Sequence, residues 1–96
     1  MSTESAWVAD WDLDWGRRQA QSEGHELDAE AQRLLQLARC YYERFGHPPS
    51  MRPWIRFLQQ ELDPAYDSVR LAVCIPAPSL RTLCRWAGLP KPPHCL

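Results

Sequence analysis

The chain lacks an excess of either charge, a long apolar run and a Gly-rich phosphate loop. Its 96 residues carry a formal net charge of −1, so it has no overall basic footprint for nucleic-acid phosphates. No apolar stretch approaches the length that spans a bilayer, and the start has no charged-then-apolar signal segment. We therefore expect one small cytoplasmic domain without membrane insertion, and DNA binding is disfavoured.

A zinc site and a self-contained enzyme are also disfavoured. The sequence has four cysteines and no C-x-x-C pair. Without a signal segment, reduced thiols are expected rather than a secreted disulfide framework. A closed zinc site needs four ligands, and Cys84, His94 and Cys95 supply three at most. No Ser/His/Asp set or carboxylate pair stands out, so we expect no metal, no bound cofactor and no independent catalysis.

What the sequence does contain is the apolar periodicity of an all-α bundle of about five helices. The clearest i, i+3, i+4, i+7 series begins with Ala31, Leu34, Leu35 and Ala38. The predicted helices run over about 11–23, from a cap at Asp28 to Gly46, from a cap at Ser50 to about 62, over about 67–74, and from Leu80 to Gly88. The centre of this order is typical of a helix-turn-helix.

Three tryptophans near the start form a second pattern. Trp7, Trp11 and Trp15 recur every four positions. This spacing predicts one helix face, and such aromatic faces most often pack into a core. Residues 1–10 are otherwise polar and small, so they are predicted to be disordered, and 11–88 are predicted to form the helical domain.

The last eight residues, 89–96, hold three prolines and no apolar repeat. Proline removes backbone donors and keeps the chain extended, so this segment is predicted to be a mobile arm. Cys95 would present an exposed thiol on it, and Lys91 and His94 would favour the nucleophilic thiolate. An accidental cysteine in an unselected tail is the alternative.

Cys84 lies near the base of this arm, on the apolar stripe of the predicted fifth helix. It can be a buried structural cysteine. It can also be a partner of Cys95, because eight extended residues cover about 25 Å and allow the arm to fold back or to enter another protein. Such a thiol pair can carry sulfur or switch redox state.

The segment 83–96 resembles the C-terminal arm of the DsrC/TusE family of sulfur-carrier proteins. The shared signature is Cys-x-x-Ala-Gly-Leu-Pro-Lys-Pro-x-x-Cys-x, which begins at Cys84. Shorter similarities lie upstream, at Glu23-Gly24 with Leu27, Tyr41-Tyr42-Glu43, Pro49-x-x-Arg52 and Ile75-Pro76. The resemblance extends from about Trp11 to Leu96.

This resemblance implies that Cys95 carries transferred sulfur as a persulfide. It implies that Cys84 resolves the persulfide, through a disulfide or a sulfur-bridged trisulfide. The upstream cysteine is typical of members that work with dissimilatory sulfite reductase, whereas members restricted to tRNA 2-thiouridine synthesis often lack it. Cys84 therefore favours a role in dissimilatory sulfur metabolism, with a TusE-like tRNA relay as the alternative.

The resemblance also implies partners. Basic residues near the arm serve docking in the family, which assigns that role to Arg52, Arg56, Arg85 and Lys91. The implied partners are a DsrEFH/TusBCD-like sulfur donor and an acceptor, such as dissimilatory sulfite reductase, a membrane-bound disulfide-reductase complex or a tRNA thiolase. We expect the family's N-terminal β-hairpin to be missing. Residues 59–68 replace a basic, Gly-rich family loop, which predicts an altered partner surface.

Two interpretations from other classes stay open. One is a redox-sensing helix-turn-helix regulator that contacts DNA through Arg52, Arg56, Arg81 and Arg85, and salt-dependent DNA binding would indicate it. The other is a purely structural helical adaptor, for which alkylation of both thiols would change nothing functional.

Overall fold

The computed structural model describes residues 7–92 as five α-helices. They are α1 (Leu13–Ser22), α2 (Ala29–Phe45), α3 (Met51–Glu61), α4 (Ser68–Cys74) and α5 (Ser79–Trp86). No strand occurs between residues 7 and 92, so the predicted all-α fold is confirmed. None of the helices in this range is both long enough and apolar enough to cross a membrane.

Aspartate caps determine where three of the helices begin. Asp12, Asp28 and Asp67 accept hydrogen bonds at 2.8, 2.8 and 2.9 Å from the backbone N–H groups of Trp15, Ala31 and Arg70. These bonds satisfy backbone donors that the first turn leaves unpaired. Ser50 occupies the N-cap of α3 as predicted, but its side chain makes no capping hydrogen bond. Gly46 ends α2 in a left-handed conformation, with φ of +78°.

The prediction that Trp7, Trp11 and Trp15 share one helix face is wrong. Asp12 is the N-cap of α1 and has an extended φ of −138°, so the first two tryptophans precede the helix. Both are nevertheless half-buried and pack against the core. Their role is therefore to hold a non-helical segment on the helices.

Both ends of the described chain pack on the helical body. The Val8 N–H donates to the Gly88 carbonyl at 2.9 Å, within the stretch predicted to be disordered. Leu89 and Pro92 are buried, within the predicted arm. The first part of that arm therefore packs against the body, and the rest of both predicted segments lies outside the described residues.

The core is built around α2, which packs against α1 and α5. Its buried residues are Ala31, Leu34, Leu35, Leu37, Ala38 and Tyr41. α1 comes close at Gly16, where an added Cβ would lie 2.8 Å from Leu35 Cδ1 and 2.9 Å from the Trp86 carbonyl oxygen. This close approach places the C-terminal end of α5 against α1 and α2.

Candidate functional site

Cys84 lies in the last turns of α5 and belongs to the hydrophobic core. Only 1% of its surface is exposed, and its neighbours in sequence Leu83 and Trp86 are fully buried. The apolar stripe that predicted a buried position is therefore confirmed. A reagent or a partner thiol reaches the Cys84 sulfur only if the groups covering it move aside.

The turn that follows α5 connects Cys84 directly to the start of the terminal segment. The Leu89 N–H donates to the Cys84 carbonyl at 2.9 Å, and the Gly88 N–H donates to the Arg85 carbonyl at 3.4 Å. With Gly88 at φ +67°, this pair of bonds is a Schellman motif, which ends a helix and satisfies its last carbonyls. The first residue of the segment that leads to Cys95 is therefore hydrogen-bonded to the backbone of Cys84.

A second set of contacts holds this turn from outside the helix. The Arg39 Nη1 donates to the carbonyl oxygens of Ala87 at 3.1 Å and Gly88 at 3.3 Å. The guanidinium carbon of Arg39 lies 3.7 Å from the centre of the Trp7 ring and 5.1 Å from that of Trp11. Burial lowers the pKa of Arg39 from its ordinary value. We call Arg39, Trp7 and Trp11 together the arginine clamp.

The two tryptophans of the clamp are fixed by further contacts. The Trp11 indole N–H donates to the Trp86 carbonyl at 2.9 Å. The Trp7 ring stacks on Tyr42 with centroids 4.8 Å apart. Sequence reasoning missed the clamp, because its members lie far apart in the chain and only the tryptophan spacing signalled anything unusual.

Of the predicted thiol pair, the structure describes one member. Cys95 and His94 lie outside the described residues, so the expected meeting of Cys95 with Cys84 stays a prediction. The chain can be followed to Pro92, with Lys91 exposed and Pro90 half-buried. From Leu89 to Cys95 is six residues, which span at most about 20 Å when extended. That length permits the terminal thiol to turn back toward α5.

The four predicted docking residues lie in two places. Arg52 and Arg56 are exposed on α3, where they line a groove of about 380 Å³ together with Ile55 and Gln59. Neither arginine forms an ion pair with another described residue. Lys91, at the other place, is exposed beyond the end of α5.

Arg85, the fourth docking residue, is already paired. Its guanidinium donates to both carboxylate oxygens of Glu23, at 2.9 and 2.6 Å. This hydrogen bonding lowers the pKa of Glu23 and raises that of Arg85. The positive charge of Arg85 is thus largely compensated within the chain, which makes it the weakest of the four candidates for an acidic partner.

Cys74 is a second thiol with a defined environment, and sequence reasoning gave it no role. It ends α4, is half-buried, and its Sγ donates to Glu30 Oε2 at 3.3 Å. Burial, followed by this bond to a carboxylate, raises the pKa of Cys74 to about 11. Arg70 holds the same carboxylate through bonds of 2.9 and 2.8 Å. At neutral pH the Cys74 thiol is therefore protonated and a poor nucleophile.

Residues 7–92 contain no group of three or more His, Cys, Asp and Glu side chains that could hold a metal ion. The remaining described cysteine, Cys40, is exposed on α2. The described part of the chain thus has a buried thiol in α5, a protonated thiol at the end of α4 and an exposed thiol on α2.

Comparisons with known proteins relate this chain to one family. The sequence profile of the family described as DsrC like protein matches residues 6–96. Two curated proteins named Sulfurtransferase TusE, from Buchnera aphidicola of Acyrthosiphon pisum and of Schizaphis graminum, are 28% and 27% identical to the chain. The first alignment covers 91% of this chain and 77% of the relative, and the second covers 93% and 79%.

Two solved structures share the fold. The nuclear magnetic resonance structure of Allochromatium vinosum DsrC has a TM-score of 0.81 at 26% identity, over 94% of this chain and 84% of that one. The oxidized gamma-subunit of the dissimilatory sulfite reductase (DsrC) from Archaeoglobus fulgidus has a TM-score of 0.72 at 22% identity, over 100% and 91%. The second likeness supports the fold alone.

Proposed function

Because the chain belongs to the DsrC-like protein family, we propose that it is a sulfur-relay protein that carries sulfane sulfur as a persulfide on Cys95. The observation that carries the proposal is the turn after α5. Through the bond from the Leu89 N–H to the Cys84 carbonyl, it joins the segment bearing one thiol to the helix bearing the other. A short tether of this kind raises the effective concentration of the two thiols for each other.

Loading needs only one nucleophile. The Cys95 thiolate attacks the outer sulfur of a donor persulfide, the donor's sulfur–sulfur bond breaks, and the donor thiolate leaves. The product is a Cys95 persulfide. Lys91 and His94, close by in sequence, favour the Cys95 thiolate.

Release uses Cys84. The Cys84 thiolate attacks the Cys95 sulfur of the persulfide, a Cys84–Cys95 disulfide forms, and hydrosulfide leaves. The sulfane sulfur is reduced and the two cysteine thiols are oxidised, so no outside oxidant is needed. The burial of Cys84 in the core supports this order, since a buried thiol is reached by an attached segment more readily than by a freely diffusing donor.

The pathway served by the relay has two candidates. Dissimilatory sulfur metabolism is supported by the presence of Cys84 and by the likeness to the Allochromatium vinosum DsrC structure. A relay toward tRNA 2-thiouridine is supported by the two relatives named Sulfurtransferase TusE. Reconstitution with purified sulfite reductase and with a tRNA thiolase separates the two, because labelled sulfur from the loaded protein should appear in the product of only one of these acceptors.

Docking is proposed for two basic positions. Arg52 and Arg56, exposed and unpaired beside the groove on α3, fit an acidic surface on the donor or acceptor, and Lys91 extends this role to the tail. Arg85 contributes less because of its pairing with Glu23. Replacing Arg52 and Arg56 by Gln should slow transfer most at low ionic strength, where charge steering is strongest.

The test of the proposal is intact-protein mass spectrometry after incubation with a small-molecule persulfide donor. The wild type should gain one sulfur atom, and Cys95→Ser should gain none. Cys40→Ser is the matched control, because Cys40 is exposed but outside the proposed site. Sulfur uptake that survives in Cys95→Ser would sink the assignment.

A further inference from the structure

Arg39 lies in the middle of α2 in surroundings unusual for an arginine. Within residues 7–92 its guanidinium forms no ion pair with a carboxylate. It lies near two indole rings, those of Trp7 and Trp11, and burial lowers its pKa. An arginine on a surface helix normally keeps its charged end in water. The contacts that Arg39 does make therefore show what holds it there.

Those contacts converge on the turn after α5. A helix leaves its last carbonyl groups without intrahelical partners, and these carry the negative end of the helix dipole. Arg39 donates to one such group, the carbonyl of the C-cap residue Ala87, and to the carbonyl of Gly88 just beyond the helix. A positive charge suits this position, and the flat guanidinium can bond in its plane while the rings cover its faces.

The same turn is enclosed by the segment before α1. A Cβ added to Gly88 would lie 2.8 Å from the Val8 Cβ and 2.9 Å from the Trp11 Cδ1. The Gly88 carbonyl also accepts from the Val8 N–H at 2.9 Å. The turn is thus fixed by contacts from α2 and from residues 7–11, in addition to the bonds of the Schellman motif.

We propose that Arg39 is a positioning residue: by hydrogen-bonding to the Ala87 and Gly88 carbonyls while it contacts the Trp7 and Trp11 rings, it sets the direction in which the terminal segment leaves α5. That direction determines how often the Cys95 thiol meets Cys84. The idea that this encounter serves sulfur transfer rests on the proposed function, but the encounter itself is measurable without it. Loss of the clamp lowers the effective concentration of one thiol at the other.

The test is the equilibrium of the Cys84–Cys95 pair with glutathione. The two thiols and one glutathione disulfide give one protein disulfide and two glutathione thiols, so the equilibrium constant reports the effective concentration. Peptide mass spectrometry quantifies the Cys84–Cys95 crosslink. Arg39→Lys, which keeps the charge but loses the fork and the stacking, should lower the constant at least about fivefold.

Two controls separate positioning from general destabilisation. Arg33→Lys makes the same change at an exposed position of α2 and should leave the constant within about twofold of the wild type. Ala31→Gly loosens the same helix at a buried site away from the turn, and should lower the thermal midpoint without lowering the constant. A Trp7→Phe variant, which keeps a ring over the guanidinium, should lie between the wild type and Arg39→Lys.

The outcomes are distinct. An Arg39→Lys protein that oxidises like the wild type overturns the positioning role, and so does an equal fall in Ala31→Gly. Failure of wild-type Cys95 to accept sulfur overturns the proposed function instead, and leaves the glutathione equilibrium as an independent test of the clamp.

Discussion

α4 and α5 each have a cysteine in their last turn, and the surroundings of the two thiols differ. Cys74 at the end of α4 donates a hydrogen bond from its thiol to a carboxylate that Arg70 holds in place. Cys84 in α5 is more deeply buried, but its backbone anchors the segment that bears a second thiol. Burial by itself therefore does not distinguish the two cysteines, whereas the chain that adjoins each of them does.

The largest effect is expected when the sulfur atom of each cysteine is removed in turn. Cys84→Ala should abolish hydrosulfide release after loading, whereas Cys74→Ala should leave both loading and release unchanged. Alanine is chosen because it removes the thiol and adds no polar hydroxyl at a buried position. A colorimetric sulfide assay on the loaded proteins measures both, and a loss of release in Cys74→Ala would contradict the assignment.

The next largest effect is expected on stability, from a substitution in the turn after α5. Gly88→Ala should lower the free energy of unfolding by about 1–3 kcal/mol, because the residue has a positive φ and its new Cβ would meet Val8 and Trp11. Gly46→Ala is the matched control. Gly46 has a similar φ of +78° but open space around its Cβ, so its loss should be about 1 kcal/mol. Urea denaturation measures both, and equal losses would show that crowding at the turn contributes nothing.

Some features of the fold were predictable because they depend on short stretches of sequence. The apolar series of α2 and the cap at Asp28 are local signals, and they identified this helix and its starting point. The tryptophan spacing misled because the cap at Asp12 starts a helix between Trp11 and Trp15. A capping residue therefore determines where a helix begins, even when a periodic pattern extends across that point.

The site shows the same division. The stripe on α5 predicted that Cys84 is buried, which the structure confirms, whereas its pairing with Cys95 stays a prediction. In the arginine clamp, the Arg39 side chain donates hydrogen bonds to the backbone carbonyls of Ala87 and Gly88, which lie 48 and 49 positions further along the chain. No periodicity encodes such a contact, since it depends on how α2 and α5 are packed.

The thiol of Cys74 provides a third, smaller effect. With its pKa raised to about 11, Cys74 should be alkylated slowly at pH 8, and its rate should rise about tenfold for each pH unit up to that value. Glu30→Gln removes the carboxylate that accepts the hydrogen bond of the Cys74 thiol, so it should lower the pKa of Cys74 and speed its alkylation at pH 8. Peptide mass spectrometry with iodoacetamide follows the rate, with exposed Cys40 as the internal reference. An unchanged rate in Glu30→Gln would show that burial alone controls this thiol.

The smallest effect concerns the ion pair beside the turn. The pKa of Glu23 is lowered in the folded protein by its bonds to Arg85. This pair therefore adds stability above the ordinary carboxyl pKa, and the contribution disappears as the pH falls through the lowered value. Because the pair is partly exposed, the contribution is at most about 1 kcal/mol. Glu23→Gln should lose part of the stability difference between pH 7 and pH values below about 4, as measured by urea midpoints.

The central claim is that Cys95 carries sulfur and that Cys84, rather than any other thiol, resolves it. The most direct measurement is the intact mass of the loaded protein over time, in the wild type and in Cys84→Ala. The account predicts that the wild type gains one sulfur atom and then loses it, together with two hydrogens, as the Cys84–Cys95 disulfide forms. Cys84→Ala should keep its persulfide. Loss of sulfur from Cys84→Ala at the wild-type rate would contradict the account.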